Sequence, residues 1–166
     1  MKKQKGMGNK GFSLVELIIV IAIMAILVGV LAPNLLRYVE KTNVSADTQL
    51  ADSVKTAITT AMMDPAVINA TDNSASTFVT AHSSYASIGT SLSGAMFDSV
   101  KETMGSSATD AAALKTELIG KLKSAHATGA DIQVQIVGSN AVQVKITGTD
   151  AAAKKDTANG TPIEVK

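Results

Sequence analysis

Apolar residues are unevenly distributed along the chain. Leu17 to Ala32 form an unbroken apolar run of 16, and the stretch from Phe12 to Ala32 covers 21 residues with only Ser13 and Glu16 polar. As a helix rising about 1.5 Å per residue, that stretch is about 31 Å long, close to one hydrocarbon core. Helical periodicity continues past it. Val44, Leu50, Val54, Ala57, Ile58, Ala61 and Met62 fall on one face, and Asp47, Gln49, Asp52, Lys55 and Thr59 or Thr60 are assigned to the remainder. Asp64-Pro65 is the expected stop, because the residue before a proline disfavours the helical region. One helix from Phe12 to Met63 would be ~78 Å long, and no compact domain of this size buries it. Its first half needs a membrane or copies of itself. Pro33 removes the hydrogen bond to the Gly29 carbonyl, and Gly29 has no side chain to resist unwinding. Gly29 to Pro33 is therefore the expected helix break, bent in the monomer and unwound in an assembly.

The other elements follow from the same patterns. Asp110 to Ala127 reads as a helix with Leu114, Leu118, Ile119 and Leu122 on one face, capped by Ser107 or Thr109, with Gly129 after its end. From 131 onward the period changes to two. Ile132, Val134 and Ile136 alternate with glutamines, Val142, Val144 and Ile146 follow a Gly138-Ser139-Asn140 turn, and Ile163 and Val165 close the pattern. A three-strand antiparallel sheet over about 131–166 is predicted, its apolar face covering the second half of the long helix. Of the 39 residues from Thr71 to Thr109, 16 are Ser or Thr, so 65–109 reads as solvated loops with a helical piece near Leu92–Met104.

Composition narrows the chemistry. Absence of cysteine excludes a disulfide scaffold, thiol catalysis and cysteine-ligated metals. His82 and His126 are too far apart in sequence to suggest a metal cluster. In the 148–160 loop, Asp150 and Asp156 lack the spacing of a calcium loop. No cofactor is expected. A net charge of +1 gives no case for nucleic-acid binding. The charge is asymmetric, however. Lys2, Lys3, Lys5 and Lys10 precede the apolar run with no acid among them, leaving 11 basic against 14 acidic residues beyond position 11.

A basic head before an apolar run suits a secretory signal, a plain anchor or a specialised leader. The run exceeds the usual signal core, and Pro33 would follow a cut after Ala32. A carboxylate inside a spanning helix costs about 2.5–3.5 kcal/mol on insertion scales, and a plain anchor has no use for one. Glu16 has a use if a new amino terminus forms four residues before it. It can then pair with the ammonium group of a neighbouring copy, the one polar pair in an apolar bundle, and so set register.

Lys10-Gly11-Phe12-Ser13-Leu14-Val15-Glu16-Leu17 strongly resembles the processing site of type IV prepilins (class III), and the resemblance covers about residues 10–40. It implies cleavage between Gly11 and Phe12 by a prepilin peptidase, N-methylation of Phe12, and assembly through Phe12 and Glu16. It also implies a pilin-like α+β fold, with a long N-terminal helix packed on a small antiparallel sheet. The expected organisation is a leader over 1–11, a transmembrane and filament-core helix over 12–33, its amphipathic second half over 34–64, and a globular head over 65–166. The cysteine pair that closes the head of many pilins is missing.

The expected function is a structural subunit of a type IV pilus, a helical homopolymer assembled by an inner-membrane platform. It would be a single-pass membrane protein with a cytoplasmic amino terminus before assembly, and extracellular afterwards. The alternative is a pseudopilin of a type II secretion or DNA-uptake system, which shares this N-terminus. An anchored enzyme is not expected, since no catalytic triad, phosphate loop or carboxylate cluster is present.

Overall fold

A computed structural model describes residues 12–124, 130–138, 141–147 and 163–166. Helix α1 runs from Leu14 to Met63. Short helices follow: α2 (Pro65–Ile68), α3 (Ser74–Ala81), α4 (Ile88–Ser91), α5 (Gly94–Thr103) and α6 (Ala111–Gly120). Strands β1 (Ala86–Ser87), β2 (Asp131–Val137), β3 (Ala141–Thr147) and β4 (Ile163–Val165) make one antiparallel sheet in the order β1-β2-β3-β4. The fold is α+β, a long apolar N-terminal helix with a small antiparallel sheet. The chain divides into two compact units, one ending at Val39 and the other beginning at Glu40.

In the first unit every described side chain is exposed, including the apolar ones from Phe12 to Val39. This part of α1 is long and apolar enough to cross a membrane, with none of it buried within the chain. The α conformation continues through Gly29 and Pro33, so the expected break is not an interruption of the helix in this monomer. Asn34 adds a bond there, its side-chain amide donating to the Val30 carbonyl at 3.3 Å.

The second unit is built on cross-strand pairing. Ile132 lies opposite Ile146, Val134 opposite Val144, and Ile136 opposite Val142. All six are buried, because period two sends them to one face. Ala51, Val54, Ala57, Ile58 and Ala61 of α1 join them in one core. The two-residue strand β1 is an addition to the predicted sheet, too short to show a period, and pairs Ala86 with Val134.

In the segment 65–109 the helical piece expected near Leu92–Met104 is present as α5 (Gly94–Thr103), and the rest is more helical and more buried than the loop reading. The segment forms four helices, and Val67, Phe78, Ile88, Met96 and Val100 are core residues. Its hydroxyls hide the helices from a composition reading, since several bond back to the preceding turn: Thr80 Oγ1 donates to the Ser76 carbonyl and Thr103 Oγ1 to that of Ser99, both at 2.9 Å. Helix α6 also differs. Asp110 itself is the N-cap, accepting the Ala113 N–H at 2.8 Å, and the helix stops at Gly120 rather than Ala127. Gly129 and His126, and the 148–160 loop, lie outside the described residues.

Candidate processing and assembly site

The first turn of α1 is closed by two side chains. The Ser13 carbonyl accepts the Leu17 N–H at 3.2 Å, the first bond of the helix. Ser13 Oγ accepts the Val15 N–H at 3.4 Å, and Glu16 Oε2 accepts the Ser13 N–H at 3.0 Å. The arrangement is a variant of the capping box: Ser13 is the N-cap, Glu16 three positions on takes its amide, and the Ser13 hydroxyl takes the N–H of Val15 rather than that of Glu16. It was legible in the sequence as Ser-x-x-Glu before an apolar run, but Glu16 drew notice there for its charge alone. Phe12 precedes the cap and is 90% exposed. Gly11, and with it the expected scissile bond, lies outside the described residues.

The arrangement places an acceptor at the end of the helix that carries unsatisfied N–H groups and partial positive charge. In hydrocarbon, where water cannot replace a missing partner, each such bond counts for more than at a surface. Glu16 is thus both an acid in an apolar segment and a hydrogen-bond partner that the segment needs.

Of the remaining expected site residues, Gly29 has open space around it. A Cβ built there meets nothing within 4 Å among the described residues beyond the adjoining helix backbone. Nothing among the described residues therefore crowds a side chain at this position. Phe12, Glu16, Gly29 and Pro33 all stand in the first unit, and no metal-holding group of His, Asp or Glu occurs among the described residues.

The second unit holds polar features that the sequence reading missed. Asp47, placed on the polar face by residue type, is 1% exposed. Its Oδ1 accepts the Lys123 N–H at 2.7 Å, its Oδ2 accepts the Ser124 N–H at 3.0 Å, and Oδ2 also takes the Ser124 hydroxyl. His82 is fully buried. Its Nδ1 lies 2.9 Å from the Phe78 carbonyl and its ring stacks on that of Phe78 with centroids 4.0 Å apart. A carbonyl only accepts, so Nδ1 carries the proton and Nε2 is the bare acceptor of a neutral ring. Nε2 has no hydrogen-bond partner among the described residues. Burial lowers the His82 pKa, against a smaller opposing effect of the Phe78 carbonyl. Asp72 is held below the usual carboxylate range by the N–H groups of Ser74 and Ala95, and Glu117 by Lys121 and the Ser106 hydroxyl.

Comparison with known proteins finds one family motif and one relative. The prokaryotic N-terminal methylation motif matches residues 6–32. A fimbrial protein of Moraxella nonliquefaciens is 47% identical over 52 residues, which is 31% of this chain and 34% of that relative. The match therefore spans about a third of the relative's length. No solved structure matches the chain. The motif and the fimbrial relative support the type IV pilin family, and the α+β fold is consistent with it.

Proposed function

We propose, from its type IV pilin-type N-terminus, that this chain is the structural subunit of a type IV pilus. A prepilin peptidase cuts after Gly11 on the cytoplasmic side, Phe12 is N-methylated, and an inner-membrane platform assembles the product into a helical homopolymer. The observation that carries this reading is the exposure of every apolar side chain from Phe12 to Val39. Moving one large apolar side chain out of water is worth about 1.5–3 kcal/mol. Two such neighbours offset the ~2.5–3.5 kcal/mol cost of placing Glu16 in the bilayer. The segment is thus stable in a membrane before assembly and among its copies afterwards, but not in water.

Within the filament, Glu16 pairs with the Phe12 ammonium of a neighbouring subunit and sets the axial offset. Methylation keeps that amine cationic. Gly29 to Pro33 is the segment that unwinds on assembly. The test is electron microscopy of sheared surface material from wild type and Glu16→Ala, with mass spectrometry of the amino terminus. Long filaments ending in N-methylated Phe12 are expected from wild type, and membrane-inserted subunit without filaments from the variant. Normal filaments from the variant would refute the role of Glu16. A terminus still bearing Met1 would overturn the processing step. Absence of surface filaments from wild type would favour the pseudopilin reading.

A further inference from the structure

The capping box assigns a task to Ser13 that the charge argument for Glu16 does not include. We infer that Ser13 is a positioning residue for assembly: as N-cap of the apolar helix it holds one oxygen of Glu16 on its own amide, leaving the other oxygen for the ammonium of a second copy. The inference rests on the proposed pairing of Glu16 with Phe12 between subunits.

Three bonds converge on Ser13. Its carbonyl takes the Leu17 N–H, its hydroxyl takes the Val15 N–H, and its own N–H donates to Glu16 Oε2. The hydroxyl is what keeps Ser13 at the N-cap, because it satisfies a donor that the helix leaves open. With the residue fixed there, the Ser13 N–H points at the carboxylate three positions on. A free glutamate side chain samples several rotamers, most of which aim the charge away from the helix end. The capped one is held toward it. Oε1 has no partner among the described residues, so the carboxylate can accept a second, charge-assisted bond without releasing the first. The neighbour's ammonium then meets an acceptor already oriented, and less freedom is lost on docking.

Residue choice at position 13 gives the test, because capping strength does not follow size. Asn and Thr cap nearly as well as Ser, whereas Ala, the nearest in volume, caps poorly. Ser13→Ala, Ser13→Thr and Ser13→Asn are expressed as full chains in the native host. Cleavage and methylation are read by mass spectrometry, membrane abundance by immunoblot, and filament yield by shearing. For Ser13→Ala we expect filament yield to fall about tenfold, the order set by loss of one capping bond where water cannot substitute, with abundance and cleavage unchanged. Ser13→Thr and Ser13→Asn should stay close to wild type. Wild-type yield from Ser13→Ala would overturn the inference, as would yield from Ser13→Asn as low as that from Ser13→Ala. So would a fall in membrane abundance that matches the fall in filaments, since that marks a general loss of helix stability. Glu16→Ala separates the two claims. If it assembles normally, the pairing itself fails; if it is blocked while Ser13→Ala is not, only the role of Ser13 fails.

Discussion

The Asp47 carboxylate on α1 accepts the backbone N–H of Ser124 at 3.0 Å, across 77 positions of sequence. The bond is buried, and a second oxygen takes the neighbouring Lys123 N–H at 2.7 Å. Two amides that no longer belong to α6 are thereby satisfied by the long helix. Asp47→Ala leaves both without this acceptor, the Ser124 amide in a buried position and the Lys123 amide in a part-buried one. An unsatisfied buried amide costs about 1–3 kcal/mol, so a loss of about 1–3 kcal/mol is expected, carried by the buried Ser124 amide. Hydrogen exchange on the full chain in detergent should show the Lys123 and Ser124 amides losing protection before those of β2. Unchanged protection there would mean that the contact contributes nothing.

His82 makes acid a selective stress. Its folded pKa is lowered by burial, so between that value and the ordinary ~6.5 the unfolded chain binds more protons than the folded one. The stability associated with the neutral ring is fully present above ~6.5 and is lost as pH falls from there toward the folded value. Protonation would place an N–H on Nε2 where no acceptor exists among the described residues. The melting temperature should therefore drop between pH 7 and pH 5, ahead of the loss of carboxylate contacts. In His82→Phe, that drop should be reduced. Equal slopes for the two proteins would show that His82 is not the titrating group.

Gly94 is fixed by both its backbone and its neighbour. Its φ is +52°, and a Cβ would lie 1.7 Å from Asp72 Oδ2. The Asp72 carboxylate occupies that space because it accepts the Ala95 N–H at 3.1 Å and the Ser74 N–H at 3.0 Å, joining the start of α5 to the start of α3. Gly94→Ala should destabilise the second unit by about 2 kcal/mol or more, the left-handed conformation contributing about 1–2 kcal/mol of it. Adding Asp72→Ala removes the clash but not the backbone strain. In urea unfolding, Gly94→Ala should cost less on the Asp72→Ala background than on the wild type; no cost at all on that background would assign the whole effect to the carboxylate.

These cases show which parts of the molecule the sequence could express. Ile132, Val134 and Ile136 announce a strand because alternation is strict and one face is dry. Ala86 and Ser87 carry no such signal, since two residues have no period. Phe78 and Met96 are isolated among hydroxyl residues, and Ser or Thr in a short helix looks like loop composition even where the hydroxyl bonds inside the helix. Asp47 was legible by spacing, for Asp47, Ala51, Val54, Ile58 and Ala61 follow the 3–4 stripe of the buried face. Residue type concealed it: a carboxylate reads as solvent-facing until its partners, here supplied from position 123 onward, are known. The N-terminal motif was the most legible, because leader charge, the residues matched over 6–32 and span length are local properties of consecutive residues.

Gly29 and Pro33 link that local sequence to mechanics. The helix passes both without interruption in the monomer, and an added methyl at Gly29 meets nothing among the described residues beyond the adjoining helix backbone. Gly29→Ala should therefore leave folding and membrane insertion intact, and should favour the helical state by about 1 kcal/mol over Gly. Pro33→Ala restores the missing N–H to the ladder and removes the clash with the Gly29 carbonyl. Both changes oppose unwinding. If the segment unwinds on assembly, filaments of the double variant should be less extensible in single-filament force measurements, and their maps should show continuous helical density from Val28 to Leu35. Wild-type filaments with that same continuous density would remove the need for any unwinding step.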